Sequence, residues 1–209
     1  MKLITTPAYK FNELEEVVRD RVVNQSREYY SNLWDGEHIE EEFREHMSTF
    51  GGEEISVASD ISYSQGSGSS FTCSFEPARL LKALYKYSDK YLKLVEFIES
   101  DSVALNINVV RSSNSYCHEN TMSVEIDIEN NNSECLTHDE LDYFYDNLEE
   151  DVFKFVISEA KSLHLRLQED YECFTSDDVI IDNLESIPEN WLTDGTPVPS
   201  LLIDQGQRV

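Results

Sequence analysis

The sequence predicts an α+β fold, an antiparallel sheet of four to five strands with helices packed on one face. Several segments alternate apolar and polar residues, as half-buried antiparallel strands do. Other segments repeat apolar residues every three or four positions, as helices do. The 11 Tyr, 10 Phe and 2 Trp supply enough apolar surface for a core, so we expect a folded chain despite its high charge.

The individual elements follow from local start signals and from these periods. Asn12 with Glu15 resembles a capping box and is expected to begin the first helix. A second capping box, Thr137 with Glu140, begins a long helix that continues to about residue 171. The other predicted elements are helices at 37–49, 78–99 (one or two helices) and 176–186, the last capped by Thr175 or Ser176, and strands at 2–9, 54–63, 70–75, 103–111 and 121–129.

Length and composition predict the domain organisation. A chain of 209 residues fits a single domain, expected at 1–190. Residues 191–209 contain prolines and little periodicity, and we expect them to form an extended C-terminal tail. No stretch approaches the ~18 apolar residues of a membrane span, and the N-terminus lacks signal-peptide features. We therefore expect a cytoplasmic protein without membrane contact, whose four cysteines are reduced.

The charge of the chain is the feature that indicates its partners. There are 42 acidic residues against 16 Lys and Arg, a formal net charge of −26. Between residues 134 and 153 there are eight carboxylates and no Lys or Arg. Such a field repels nucleic acid and attracts basic protein surfaces over about 8–10 Å. The residues expected to contact a basic partner are Glu140, Asp146, Glu149, Glu150 and Asp151.

A glycine- and serine-rich segment between two predicted strands is the candidate ligand loop. Glycine permits close approach of a ligand or of another backbone segment. The alternative is an ordinary strand connection, and a phosphate-binding loop is disfavoured because no Lys follows. His118, in the polar link at 112–120, could also contact a ligand. The ligand-loop candidates are Ser64, Gln65, Gly66, Gly68 and His118.

Two further charged patterns allow alternative interpretations. Glu125, Asp127 and Glu129 alternate on one strand face, where they could hold Mg²⁺ or Ca²⁺ or simply face water. Five bases recur every three or four residues between 79 and 93, either as a phosphate site or as a solvated stripe facing the protein's own acids. No catalytic motif is present, so we expect no enzyme activity, no cofactor and no bound metal.

Several segments resemble a family of proteins encoded by bacteriophages and prophages, commonly labelled "antitoxin of toxin–antitoxin system". The similarity covers most of the chain and includes a Ser-Gln-Gly-x-Gly-x-x-Phe signature, residues 64–71. The other similar segments are residues 9–14, 105–111, His118 with 122–124, 167–178 and 190–195. The resemblance implies a cytoplasmic phage protein that binds and neutralises a host protein.

These observations favour a binding protein that imitates nucleic acid. The expected partner is a basic host protein, such as a toxin, a nuclease or a nucleic-acid-binding defence factor, and nucleic acid itself is not expected to bind. One alternative is a metal-dependent enzyme acting on a nucleotide or nucleic acid. The other is a protein that sequesters an anionic small molecule.

Overall fold

A computed structural model describes residues 6–62, 64–86, 88–112, 115–131 and 135–198. The chain divides into two compact units. Residues 36–168 form the first, which we call the sheet unit, and residues 1–35 together with 169–209 form the second, which we call the helical unit.

The sheet unit contains a four-stranded antiparallel sheet, which confirms the predicted α+β class. The strands are β1 (Gly52–Asp60), β2 (Gly68–Phe75), β3 (Val103–Arg111) and β4 (Met122–Asn130). They lie in the sheet in chain order, β1-β2-β3-β4, so each strand pairs with its neighbour in sequence.

Pairing is regular between β3 and β4 and short between β2 and β3. Strands β3 and β4 keep one register from Val103↔Asn130 to Arg111↔Met122. Strands β2 and β3 pair only through residues 73–75 and 107–109. Towards Gly68, β2 therefore separates from β3. There the Phe71 N–H donates to Met122 Sδ at 3.2 Å instead of to a strand carbonyl.

The two faces of the sheet differ in chemistry, and the helices described below pack on the apolar face, in agreement with the prediction of helices on one face. Strand residues point alternately to opposite faces. One face is apolar and buried, for example at Phe71, Ile107 and Val124, and the other is polar and exposed, for example at Asn106 and Glu125. The alternation of the sequence is matched by alternating burial in β3 and β4, whereas β1 is half-buried at most positions and β2 also buries Ser69 and Ser70.

Four helices belong mainly to the sheet unit. They are α2 (Glu37–Thr49), α3 (Pro77–Leu84), α4 (Asp89–Glu99) and α5 (His138–Phe174), whose residues up to 168 lie in this unit. Phe43 of α2 contacts Phe71 at a ring distance of 5.1 Å. Phe155 of α5 lies 6.4 Å from Phe75. Both contacts place their helix on the apolar face of the sheet.

The helical unit is built around α1 (Glu16–Leu33) and α6 (Asp177–Ser186). Ser176 caps α6 by accepting from the Val179 N–H at 3.4 Å, in agreement with the sequence prediction. Tyr9 and Trp191 form an antiparallel bridge. The apolar cluster of this unit consists of Phe11, Leu14, Val18, Val22, Val23, Ile180, Leu184 and Trp191.

Two predicted elements differ in the structure. The first helix begins at Glu16, not after Asn12, because residues 11–13 form a short 3₁₀ helix that buries Phe11. Glu13, rather than Glu15, accepts a backbone N–H, that of Lys10, at 2.8 Å. Of the predicted strand at 2–9, residues 2–5 lie outside the described part, and Tyr9 forms a single bridge.

The structure describes only part of the predicted C-terminal tail, residues 191–198. Trp191 is buried, and the Val198 N–H donates to the Asn190 carbonyl at 2.8 Å. Residues 199–209 lie outside the described part. The domain limits at 190 and 191 stay a prediction.

Candidate functional site

The acidic segment folds into the first four turns of α5, beginning at the predicted capping box. The Thr137 N–H and hydroxyl both donate to Glu140 Oε2 at 2.9 Å, and Thr137 Oγ1 accepts from the Glu140 N–H at 3.3 Å. Hydrogen bonds from Thr137, and to a lesser degree the charge of Lys93, lower the pKa of the Glu140 carboxyl. Glu140 therefore begins the helix as well as carrying charge.

Glu140 and Asp151 lie on the flank of α5 that faces α3 and α4. Eleven residues are three helical turns, so the two carboxylates share one side. Glu140 Oε1 lies 3.8 Å from Lys93 Nζ, and Asp151 Oδ2 accepts the Tyr85 hydroxyl at 2.8 Å. Both side chains are half-buried. These contacts within the protein account for the two carboxylates, so no binding protein is needed to explain them.

An aromatic cluster continues this flank. Tyr85 and Tyr91 stack with their ring centroids 3.6 Å apart, and Lys90 lies over the Tyr143 ring. Burial raises the pKa of the Tyr85 hydroxyl, and the hydrogen bond to Asp151 adds to the effect. The hydroxyl is thereby held protonated, as donation to the Asp151 carboxylate requires.

The opposite, outward side of α5 carries exposed carboxylates, two of which pair with other residues of α5. The acidic face, as defined here, consists of Asp142, Asp146, Glu149 and Glu150, all exposed. Glu150 Oε1 lies 2.6 Å from Lys154 Nζ, and Asp142 Oδ2 lies 3.7 Å from His138 Nε2. Asp146 and Glu149 make no ion pair with any described residue. Like charges three and four residues apart destabilise a helix, so this arrangement costs stability.

The structure therefore divides the five predicted partner residues into two sets. Asp146, Glu149 and Glu150 are exposed at the surface, although Glu150 pairs with Lys154, whereas Glu140 and Asp151 are half-buried and contact Lys93 and Tyr85. Asp142, which was not among the five, belongs to the surface set. Its signal was present in the sequence, because Asp142, Asp146 and Glu149 follow the helical spacing of a single side.

The ligand-loop candidates come together only in part. The Gly66 carbonyl accepts from the Cys117 N–H at 3.1 Å. A Cβ on Gly66 would lie 2.2 Å from the Tyr116 ring, and one on Gly68 would lie 2.4 Å from the His118 Cα. Both glycines also have positive φ, +102° and +152°. The glycines therefore allow the 116–118 segment to approach the loop.

Ser64 and Gln65 lie at the exposed tip of this connection between β1 and β2. Ser64 Oγ accepts from the Ser62 hydroxyl at 2.9 Å, and its carbonyl accepts from the Ser67 N–H at 3.1 Å. The contacts of the serine are thus local turn contacts. A hairpin connection, the alternative to a ligand loop, accounts for them.

Around this loop the fold adds residues that the sequence analysis did not select. Ser69 Oγ lies 3.5 Å from His164 Nδ1, and Lys161 Nζ lies 3.6 Å from Glu119 Oε1. The Ser70 hydroxyl and His118 Nδ1 are buried and have no hydrogen-bond partner among the described residues. Ser69 and His164 are 95 residues apart, so no local pattern could have paired them.

The candidate metal ligands remain on the polar face of the sheet. Glu125, Asp127 and Glu129 are exposed on β4, with Asn108 and Asn106 opposite the first two on β3. Among the described residues, no group of three or more His, Cys, Asp or Glu is arranged to hold a metal ion. A shallow depression of about 250 Å³ is lined by the carboxylates of Glu54 and Glu125 together with hydroxyl, thiol, amide and apolar groups.

The bases predicted to share one helix face are divided by the break between α3 and α4. Lys82 pairs with Glu99, Lys93 with Glu140, and Arg79 Nε donates to the Thr49 carbonyl at 3.2 Å. Of the two alternatives left open for residues 78–99, one helix or two, the structure has two, α3 ending at Leu84 and α4 beginning at Asp89. Two of the lysines nevertheless face the protein's own acids, as one interpretation held.

These features define an α+β protein with one open sheet face and an outward acidic helix face. A family model described as "Domain of unknown function (DUF8835)" matches residues 41–177, about two thirds of the chain, and the chain belongs to this family. No match was found among curated proteins or among solved structures. In the described part, no helix is long and apolar enough to cross a membrane.

Proposed function

We propose that this protein binds a basic protein through the acidic face of α5 and acts without catalysis. The observation that carries the proposal is the pair Asp146 and Glu149, exposed on one side of α5 and without an ion pair to any described residue. A partner that presents Lys or Arg at this spacing would supply the missing counter-charges. Arginine would do so best, because its guanidinium can bind a carboxylate through two hydrogen bonds.

The energetic argument concerns the cost of the acidic face in the free protein. Asp142, Asp146 and Glu149 repel one another along one helix side, and each such pair destabilises the helix by a few tenths of a kcal/mol. A basic partner converts this repulsion into attraction. The net charge of −26 also attracts such a partner from a distance and raises its association rate.

The kind of partner follows from the charge and from the resemblance stated above. A row of exposed negative charges resembles a phosphate backbone, so we propose a host protein whose nucleic-acid site is basic: a toxin, a nuclease or another defence factor. The phage and antitoxin context and the cytoplasm of the host cell are part of this proposal. They rest on the similarity of segments such as residues 64–71 to the phage family.

The test compares two baits of equal charge in host-cell lysate. Asp146→Asn with Glu149→Gln removes two charges from the acidic face, and Glu125→Gln with Asp127→Asn removes two from the open sheet face. We expect one protein to be retained by the wild type and by the sheet-face variant but released by the acidic-face variant. With the purified partner, affinity should fall about threefold to thirtyfold, from surface ion pairs of 0.3–1 kcal/mol each.

Salt and nucleic acid complete the test. Between 50 and 500 mM salt the screening length falls roughly threefold, so retention should fall steeply. Added DNA or RNA should compete for the partner. Retention that is indifferent to salt, or equal for the two variants, would contradict the proposal.

The sequestration of an anionic small molecule is a second candidate, favoured by one observation. The Ser70 hydroxyl and His118 Nδ1 are buried beside the Gly66–Gly68 loop without a described hydrogen-bond partner. Both could donate to an anion. Native mass spectrometry of the protein purified from host cells tests this candidate: a ligand lost from His118→Ala would support it, and a bare mass would contradict it.

A further inference from the structure

A shallow groove lies on α5, directly after the acidic face. Its volume is about 360 Å³, and its described lining consists of Phe153, Lys154, Ile157, Ser158 and Lys161. The Phe153 side chain is large and apolar and remains 38% exposed. Phe153 follows Asp146 and Glu149 at seven and four residues, so it lies on the same side of the helix.

The charges around the groove are balanced, unlike those of the acidic face. Lys154 Nζ lies 2.6 Å from Glu150 Oε1, and Lys161 Nζ lies 3.6 Å from Glu119 Oε1. The two lysines therefore add little repulsion against a basic partner. Two carboxylates without an ion pair to any described residue, Asp146 and Glu149, and an apolar groove of low net charge thus follow each other along one helix side.

We propose that the groove receives an apolar side chain of the same basic partner, whose lysines or arginines contact the acidic face. The inference rests on the proposed function and specifies the chemistry of the partner segment. Seven residues of helix span about 10 Å, so the segment presents its apolar residue about 10 Å from its bases. An amphipathic helix with bases in one turn and a Leu, Met or Phe two turns away has this geometry.

Charge complementarity selects this occupant over a second copy of the chain. A second copy would bring its own acidic face against Asp146 and Glu149, and like-charge juxtaposition opposes such an interface. In protein interfaces, a few well-buried side chains, often aromatic, supply most of the affinity, and surrounding charges supply specificity and association rate. Phe153 has the position of such an anchor.

The probes are two synthetic alanine-based peptides of equal charge. Each has four lysines in its first two turns, and the last two turns carry two leucines in one peptide and two glutamines in the other. Binding to the full chain is measured by isothermal titration calorimetry at 50 mM salt. We expect the leucine peptide to bind about tenfold more tightly, from partial burial of apolar surface.

Two single substitutions on α5 distinguish binding in the groove from nonspecific hydrophobic binding. Phe153→Ser should abolish the preference for the leucine peptide, and Leu165→Ser should retain it. Leu165 is the matched control because it is apolar, 57% exposed, on the same helix and outside the lining of the groove. Circular dichroism melting of both variants verifies that they fold.

The outcomes distinguish the two proposals. If both peptides bind equally and salt weakens both, the groove is not an anchor site, but the acidic face still binds bases. If Phe153→Ser retains the preference for the leucine peptide, the groove is likewise not the anchor site. If neither peptide binds at 50 mM salt, the proposed function fails and the groove's assignment fails with it.

Discussion

The two sides of α5 carry the same residue types in different surroundings. On the flank, Glu140 begins the helix and contacts Lys93, and Asp151 accepts the Tyr85 hydroxyl. On the outward side, Asp146 and Glu149 make no ion pair with any described residue. The number of carboxylates in the segment does not show which of them make contacts within the protein. The comparison teaches that the helical register, not the density of charge, determines which acids are available to a partner.

The largest expected effect concerns the buried side, which fixes that register. Leu148 is fully buried between the two acidic sides. Leu148→Ala should lower the free energy of unfolding by about 2–5 kcal/mol, because it removes buried methyl groups and leaves a cavity. Urea denaturation followed by circular dichroism measures the loss. Its neighbour Glu149→Gln is the control and should leave the urea midpoint unchanged or slightly raised; equal losses would contradict the assigned register.

A smaller effect is expected on the flank. Tyr85→Phe removes the donor to the half-buried Asp151 carboxylate and should cost about 1–2 kcal/mol of stability. The double-mutant cycle with Asp151→Ala isolates the interaction, since each single change removes one partner of the same hydrogen bond. Additive losses in the cycle would mean that the two side chains are not coupled. Peptide binding should be unaffected by either change.

The raised pKa of Tyr85 predicts the pH range of that contribution. The phenol is held protonated in the folded state, and in the unfolded chain it titrates near 10. The contribution is therefore complete below about pH 10 and is lost as the pH rises from there towards the folded-state pKa. Urea midpoints should show the same advantage of the wild type over Tyr85→Phe at pH 8 and 9.5 and a smaller one at pH 10.5. A constant difference would contradict the assignment.

Local patterns were sufficient for much of the fold. The helix at Glu37–Thr49 and the strand at Val103–Arg111 have the predicted bounds, because each has a clear period and flanking turn residues. The Thr137–Glu140 capping box was also predicted correctly, since all its hydrogen bonds join residues three apart. Asn12 failed as a cap because burial of Phe11 holds its segment in a 3₁₀ turn.

The candidate site was less predictable because its contacts are distant in sequence. Which carboxylates of α5 are engaged depends on Tyr85 and Lys93, 47 or more residues earlier. The pairing of Ser69 with His164 depends on the complete packing of α5 over the sheet. The function expected from the resemblance stays a prediction, since the family that the chain belongs to has no described function.

The smallest effect contrasts the two sides directly, using carboxylate-to-amide changes alone. Asp146→Asn with Glu149→Gln relieves repulsion along the outward side, so the Tm at low salt should rise by about 1–3 °C. Glu140→Gln should instead lower the Tm, because it weakens the cap and the contact with Lys93. Differential scanning calorimetry at 20 and 500 mM salt measures both shifts, and the gain should shrink at high salt as repulsion is screened. Shifts of the same sign in the two variants would show that α5 does not separate its acids into an available and an engaged set.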